Sequence, residues 1–335
     1  MNTPSTSPHL HRRSVLALLA GSLASAVTAQ ESSEVFSGFT GTEVRFASVD
    51  IGRSLLTARD EWMMVTNDFL RRAIMGSAQP VTAEAFTRWN GDAVRPWTDQ
   101  QRSRWLRALR ELAPMFATMR IPLPPVVYLV ATNGQESSEA PYTRANAVML
   151  AGPATTPGYS DAMLLAHELW HVAARHAPAT ASRLYAEIGF RPIPELRFPA
   201  AWEPLRMANP DAPGNNHAMR LRVRGRTPWI TPVLVASRTN MTPGQSFFEV
   251  IETRLLEVTH GIDGGRSTAV MRDGQPVWHA LDGAHDYLEQ LGGNTGYVIH
   301  YEEAMADNVA LLVTGGRARN PALLRRIQTA LAQER

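Results

Sequence analysis

Two histidines and a glutamate stand close together in one short segment, Ser160-Asp161-Ala162-Met163-Leu164-Leu165-Ala166-His167-Glu168-Leu169-Trp170-His171-Val172. Ser160 or Asp161 can cap a helix there, and the residues beyond are good helix formers. On a helix His167 and His171 stand four apart, so both imidazoles leave one face a turn apart. That spacing lets two nitrogens reach one zinc ion at about 2.0–2.1 Å. Glu168 follows the first histidine, so its carboxylate can lie beside the ion without being a ligand and can take a proton from a zinc-activated water. The competing expectation is a buried helix whose histidines are merely hydrogen-bonded core residues. Burying three polar groups among Leu164, Leu165, Leu169 and Val172 is costly unless something satisfies them, which favours the metal.

Two histidines leave a hydrolytic zinc site incomplete, since such sites usually have three protein ligands and an open position. A third histidine six residues after the second is absent, because that position is Ala177. His176 would point away from the shared face of a continuous helix. The last strong helical stretch offers an alternative, Val298-Ile299-His300-Tyr301-Glu302-Glu303-Ala304-Met305-Ala306-Asp307-Asn308. Glu303 and Asp307 share one face of this apolar, Ala-rich helix and need a cation or donors. Glu303 as third ligand, with Asp307 accepting the spare N–H of a ligand histidine, would satisfy both. The rival expectation is a solvated acidic face. Glu302 is the nearest rival ligand and Asp211 a remote one.

At this point the sequence resembles the gluzincin, thermolysin-like zinc metallopeptidases, through His167-Glu168-Leu169-Trp170-His171 followed by Glu303-x-x-x-Asp307. It also resembles, more loosely, uncharacterised bacterial zinc proteases with a Glu-Glu-x-x-Ala-Asp/Glu-Asn helix. The resemblance implies the motif histidines and Glu303 as ligands to Zn2+, Glu168 as general base, and Asp307 as support for a ligand histidine. It implies an α+β, zincin-like metalloprotease fold, with a short mixed sheet packed on the HExxH helix and a second ligand-bearing helix near the C-terminus. Peptide-bond hydrolysis of a polypeptide substrate is the implied activity. The chain departs from that group in its long interval from His171 to Glu303, and in Glu302 where an Asn is usual. In such folds an edge strand beside the active-site helix holds substrate by strand addition, a role the strand predicted at 146–150 fits as well as it fits an ordinary core strand. Tyr142, Arg144, Tyr185 and His217 are candidate oxyanion donors. A different class of function is an exported, non-catalytic zinc protein with a structural or binding role.

The elements that must position these groups follow from periodicity. Val49 to Met75 is helical in pattern, with apolar residues at three- and four-residue steps, and Thr98 to Met119 carries a second stripe. Val126 to Val130 and Asn146 to Leu150 read as strands, separated by a polar loop at 135–139. Residues 31–45 look like an extended lead-in. The stretch 189–245 is rich in Pro, Gly and Arg, with strand-like pieces at 218–223 and 232–236. Phe247 to His260 returns to helical spacing, and Tyr297 to Val313 is a helix stopped by Gly315-Gly316.

Composition narrows the remainder. The 335 residues carry a formal net charge of +2, and the 33 basic residues are all Arg. With no basic run, nucleic-acid binding is not expected. The absence of cysteine removes disulfides, thiolate metal sites and Cys nucleophiles, so a metal must be held by His, Asp or Glu. No Lys means no phosphate loop ending in Gly-Lys, and no Gly-x-Ser-x-Gly is present. Residues 1–29 read as a cleavable export signal, with Arg12-Arg13 resembling a twin-arginine type and Val27-Thr28-Ala29 offering cleavage. The expected mature chain, 30–335, is one metallopeptidase domain, of one or two packed lobes, with a long insertion at about 177–296. It is expected in the periplasm or secreted, with no stable membrane insertion after signal removal.

Overall fold

Turn and cap chemistry organise the first third of the chain. In a computed structural model describing residues 34–152, 158–239, 247–259 and 265–333, Val35–Phe39 (β1) and Thr42–Phe46 (β2) form an antiparallel hairpin. Its turn uses Gly41 at φ 75°, a conformation free of strain only without a Cβ. The extended lead-in is therefore a paired hairpin, and the export signal expected at 1–29 lies outside the described residues. The helical pattern from Val49 is cut into Val49–Thr57 (α1), Glu61–Val65 (α2) and Asp68–Met75 (α3). The side chains of Asp60 and Asn67 accept the Met63 and Leu70 amides at 3.0 and 2.7 Å, so each starts a new helix where periodicity alone runs on. Ala83–Gly91 (α4) follows Thr82, which caps it in the same way.

Asp99–Met119 (α5) begins at a capping box formed by Thr98 and Gln101. Val126–Thr132 (β3), Tyr142–Arg144 (β4) and Ala147–Ala151 (β5) complete a mixed sheet in the order β1-β2-β3-β5-β4. Its middle is parallel, with Val44 opposite Val127 and Leu129 opposite Val148, while β1 and β4 run antiparallel at the edges. The strand expected at 146–150 is thus interior, and the edge beside the histidine helix is β4.

Asp161–His176 (α6) starts at Ser160, whose hydroxyl accepts the Met163 amide at 3.1 Å. Pro178–Glu187 (α7) leads to a second, antiparallel sheet built from Phe190–Pro192 (β6), His217–Arg220 (β7), Trp229–Ala236 (β8), Ile251–Thr259 (β9) and Thr268–Ala269 (β10). Met271–Arg272 (β11) pairs with Gln275–Pro276 (β12), and Trp278–Ala280 (β13) pairs with β9. His285–Gln290 (α8), Tyr301–Thr314 (α9) and Pro321–Ala332 (α10) close the chain.

The expected helix from Phe247 is overturned. Phe247–Val250 is one short 3-10 turn, and the chain then runs as β9 against β8 from Ile251↔Ala236 to Val258↔Trp229. Leu255 faces the main core while Leu256 and Val258 face a satellite core, so both faces are covered and the two-residue alternation is blurred. The β-branched Ile251, Thr253, Val258 and Thr259 favour the strand.

The architecture is α+β: α6 and α9 lie against each other, with α5 and the mixed sheet packed around them. Leu112 and Phe116 of α5, Leu129 and Leu150 of the sheet, Leu165, Leu169 and Trp170 of α6, and Met305 and Val309 of α9 belong to one core. Burying Leu165 and Leu169 contributes about 1.5–3 kcal/mol each. The described residues fall in one compact unit, Ser33–Arg335, in which 177–296 supplies the second sheet, α7 and α8.

Candidate metal centre

Both polar helices are apolar nearly all round and are consequently buried, which forces their acids and imidazoles to satisfy one another. His167, Glu168 and His171 are 6%, 4% and 1% exposed, and Glu302, Glu303 and Asp307 are 4%, 2% and 3%. The expectation of a solvated acidic face on α9 is therefore wrong. His300 caps α9 by accepting the Glu302 amide at 3.2 Å, and Gly315 ends it in the left-handed region.

Each imidazole is held from behind by a carboxylate. His167 Nδ1 lies 2.8 Å from Asp307 Oδ1, and His171 Nδ1 lies 2.8 Å from Glu302 Oε1. With each Nδ1 turned to a carboxylate, both Nε2 atoms turn to a common point. Glu303 Oε2 sits at that point, 3.1 Å from His167 Nε2 and 3.4 Å from His171 Nε2. Ligands 2.0–2.1 Å from one tetrahedral ion stand about 3.3–3.4 Å apart, close to the two distances Glu303 makes, and all three atoms lie within 4.8 Å of one another. His171 Nε2 and Glu168 Oε2 are buried without a hydrogen bond, which a nearby cation and its water would remedy.

The supporting carboxylates have donors of their own. Asp307 accepts the Tyr159 hydroxyl at 2.5 Å on Oδ1 and the Thr295 hydroxyl on Oδ2. Glu302 Oε2 accepts the Tyr185 hydroxyl. Glu303 Oε1 accepts the Asn209 amide at 2.5 Å. Asp211 approaches from the other side, where its oxygen, Glu168 and His171 form a second group whose atoms lie within 4.8 Å of one another. Asp211 Oδ1 is already bonded to Thr143 N at 2.6 Å and to Thr143 Oγ1 at 2.7 Å.

The charges are strongly coupled. Burial opposes charge on His167, yet its hydrogen bonds to Asp307 and Glu303 raise it to about 10. His171 is raised well above its ordinary value, as Glu303, Asp211 and Glu302 outweigh burial. Burial resists ionisation of Glu303, but His171 and His167 hold it well below the usual carboxylate range. Burial, then the Asp211 charge, push Glu168 up to about 8 against the pull of both imidazoles. Glu302 is raised chiefly by burial.

Of the residues singled out in the sequence, the structure brings His167, Glu168, His171, Glu303 and Asp307 together. Glu302, the rival ligand, lies behind His171 instead. His176 is exposed at the end of α6. The four oxyanion candidates are engaged elsewhere or apart from the centre. Arg144 donates to Asp60, Leu56 O and Ala58 O, Tyr185 to Glu302, and His217 is bonded to Ser182 and Asn216. Tyr142 is buried beside Glu136, with no hydrogen bond to its hydroxyl. Sequence reasoning passed over Tyr297, whose ring lies 6.2 Å from that of His167 and which is 40% exposed. The Glu303 charge, burial and the charges of Asp211, Glu168 and Asp307 keep its phenol protonated. A small cleft of about 90 Å³ adjoins this tyrosine and Asp211; Trp62, Leu70, Met207 and Phe247 form part of its apolar wall.

No family model matches the chain, and neither a curated protein nor a solved structure matches it.

Proposed function

We propose that this chain is an exported zinc-dependent hydrolase, specifically a zincin-like, gluzincin-type peptidase acting on polypeptides in the periplasm or outside the cell. The observation that carries this reading is the convergence of His167 Nε2, His171 Nε2 and Glu303 Oε2, with an uncommitted Glu168 oxygen beside them. Zinc held by those three residues would supply a Lewis acid and lower the pKa of water at its open position toward neutrality.

The chain's own residues do the rest. Asp307 and Glu302 fix the imidazole tautomers and orientations. Glu168 accepts the proton of the attacking water and returns it to the leaving nitrogen. Bound beside Glu168, the cation would offset burial and Asp211 and favour the ionised form Glu168 needs as a base. Tyr297, a protonated phenol facing the centre from an exposed position, donates to the developing oxyanion. The apolar cleft suits side chains of a polypeptide. A substrate strand adding to β4 at Thr143 would first have to displace Asp211 from its amide. The Arg12-Arg13 pair and the apolar run after it support export.

Glu168→Gln is the test. The expected result is unchanged zinc content and fold, with peptide-library hydrolysis lowered about 10²- to 10⁴-fold. A parent chain with no zinc after reconstitution would sink the reading altogether. One zinc per chain with no hydrolysis of any peptide would leave the second reading, an exported non-catalytic zinc protein, which the burial of all three ligands favours.

A further inference from the structure

Glu303 does not present its two oxygens equally. Oε2 faces the two imidazole nitrogens, whereas Oε1 accepts a hydrogen bond from Asn209 Nδ2 at 2.5 Å. The orientation of that amide is set locally: Asn209 Oδ1 accepts the Asp211 amide at 3.0 Å, so Nδ2 is the atom left for Glu303. A flipped amide would lose the turn and set oxygen against oxygen.

The segment bearing Asn209 is tied down on both sides. Met207 N donates to Leu234 O at 3.1 Å on β8, and Trp62 Nε1 donates to Ala208 O at 2.9 Å. Beyond Pro210, Thr143 of β4 holds the Asp211 carboxylate and Arg175 of α6 holds its carbonyl at 3.2 Å. Four separate elements thus fix one amide against one carboxylate oxygen. With Oε1 drawn toward Asn209, Glu303 is oriented to offer a metal ion Oε2 alone, which would keep the coordination number low and a position open.

We infer that Asn209 is a positioning residue that holds Glu303 to one-oxygen ligation and thereby keeps the metal centre four-coordinate. This rests on the metal reading above. The 207–211 segment, although in the region expected as an insertion, is then part of the centre.

Cobalt(II) substitution in the full chain tests it, because four-coordinate cobalt has intense visible bands that weaken when a fifth ligand atom arrives. Two variants are compared with the parent, with circular dichroism and thermal melting as checks on folding. Asn209→Ala removes the donor. Asn209→Asp keeps the acceptor for the Asp211 amide, so it retains the turn should the alanine variant fail to fold. The expected result is an intense parent spectrum, weakened bands in the variants, and cobalt and zinc affinities lower by about 10- to 100-fold. A parent that binds cobalt with intense bands, and folded variants whose spectrum and affinity match it, would overturn the role of Asn209 alone. A parent that binds neither cobalt nor zinc would overturn the metal reading and this inference with it.

Discussion

Asp307 gathers three donors, and replacing it in two ways separates what it does for the fold from what it does for the ligand. It accepts His167 Nδ1 at 2.8 Å, the Tyr159 hydroxyl at 2.5 Å and the Thr295 hydroxyl. In Asp307→Asn the amide oxygen still accepts from His167 and Tyr159, while the amide nitrogen donates to Thr295, whose hydroxyl can accept instead. All three partners stay bonded, but a neutral acceptor replaces a charged one behind His167, so stability should fall by about 1–1.5 kcal/mol. What is lost is the negative charge behind His167, and zinc affinity should fall about 10- to 100-fold, equivalent to about 1.4–2.7 kcal/mol. In Asp307→Ala the three donors are orphaned. His167 is 6% exposed and bears the full penalty, while the half-buried hydroxyls find water in part, giving about 2–5 kcal/mol of destabilisation. Zinc affinity is read by competition with a chromogenic chelator at fixed pH, and stability by urea unfolding with chelator present. Asp307→Asn binding zinc as the parent does would refute the orienting role, and Asp307→Ala matching Asp307→Asn in stability would refute the hydrogen-bond accounting.

Three further outcomes follow from the same geometry. Tyr297→Phe should lower kcat about 10²- to 10³-fold with a smaller change in KM, measured on the best peptide substrate; an unchanged kcat removes Tyr297 from the reaction. Because His167 is raised to about 10, His171 is also raised and Glu168 is raised to about 8, zinc uptake at pH 7 should release about two to three protons per ion. Titration calorimetry in buffers of different ionisation enthalpy reads that number, and zero release contradicts the charge assignment. His217, lowered to about 4 by burial, works in the opposite direction. Between its folded value and the ordinary 6.5, the unfolded chain binds the extra proton, so stability falls as pH falls through that window. From pH 7 to pH 5 the parent should lose about 2 kcal/mol more than His217→Gln in urea melts, and equal losses would show that His217 is not held neutral.

The histidine helix was legible because its information is local: a cap at Ser160, uninterrupted helix formers, and two imidazoles four residues apart. Glu303 and Asp307 were legible as a pair for the same reason. The choice between Glu302 and Glu303 was not, since neighbours on a helix that is buried all round differ only in what each meets, and α9 meets α6 on one side and α7 on another. Asn209 gave no signal, lying in a Pro- and Gly-rich stretch without periodicity and acting on a residue 94 positions away. β9 was misread because a strand covered on both faces can carry apolar residues at helical steps. The interruptions at Asp60 and Asn67 carried cap chemistry that the longer apolar pattern masked.

The two helices are far apart along the chain, with His167 and Glu303 136 positions apart. Everything from α7 through the antiparallel sheet to α8 lies between them. A disulfide could lock such a span, but this chain has no cysteine. An ion shared by His167, His171 and Glu303 would be the equivalent staple, closing a long loop in the native state and leaving it open in the unfolded one. Its removal should be felt less by the hairpin, α1 and the parallel strands than by the looped-out sheet, whose amides would then exchange with solvent as a group. The metal centre would thus be a mechanical closure as well as a place for chemistry, and its loading would fix when the second half of the protein becomes resistant to the proteases around it.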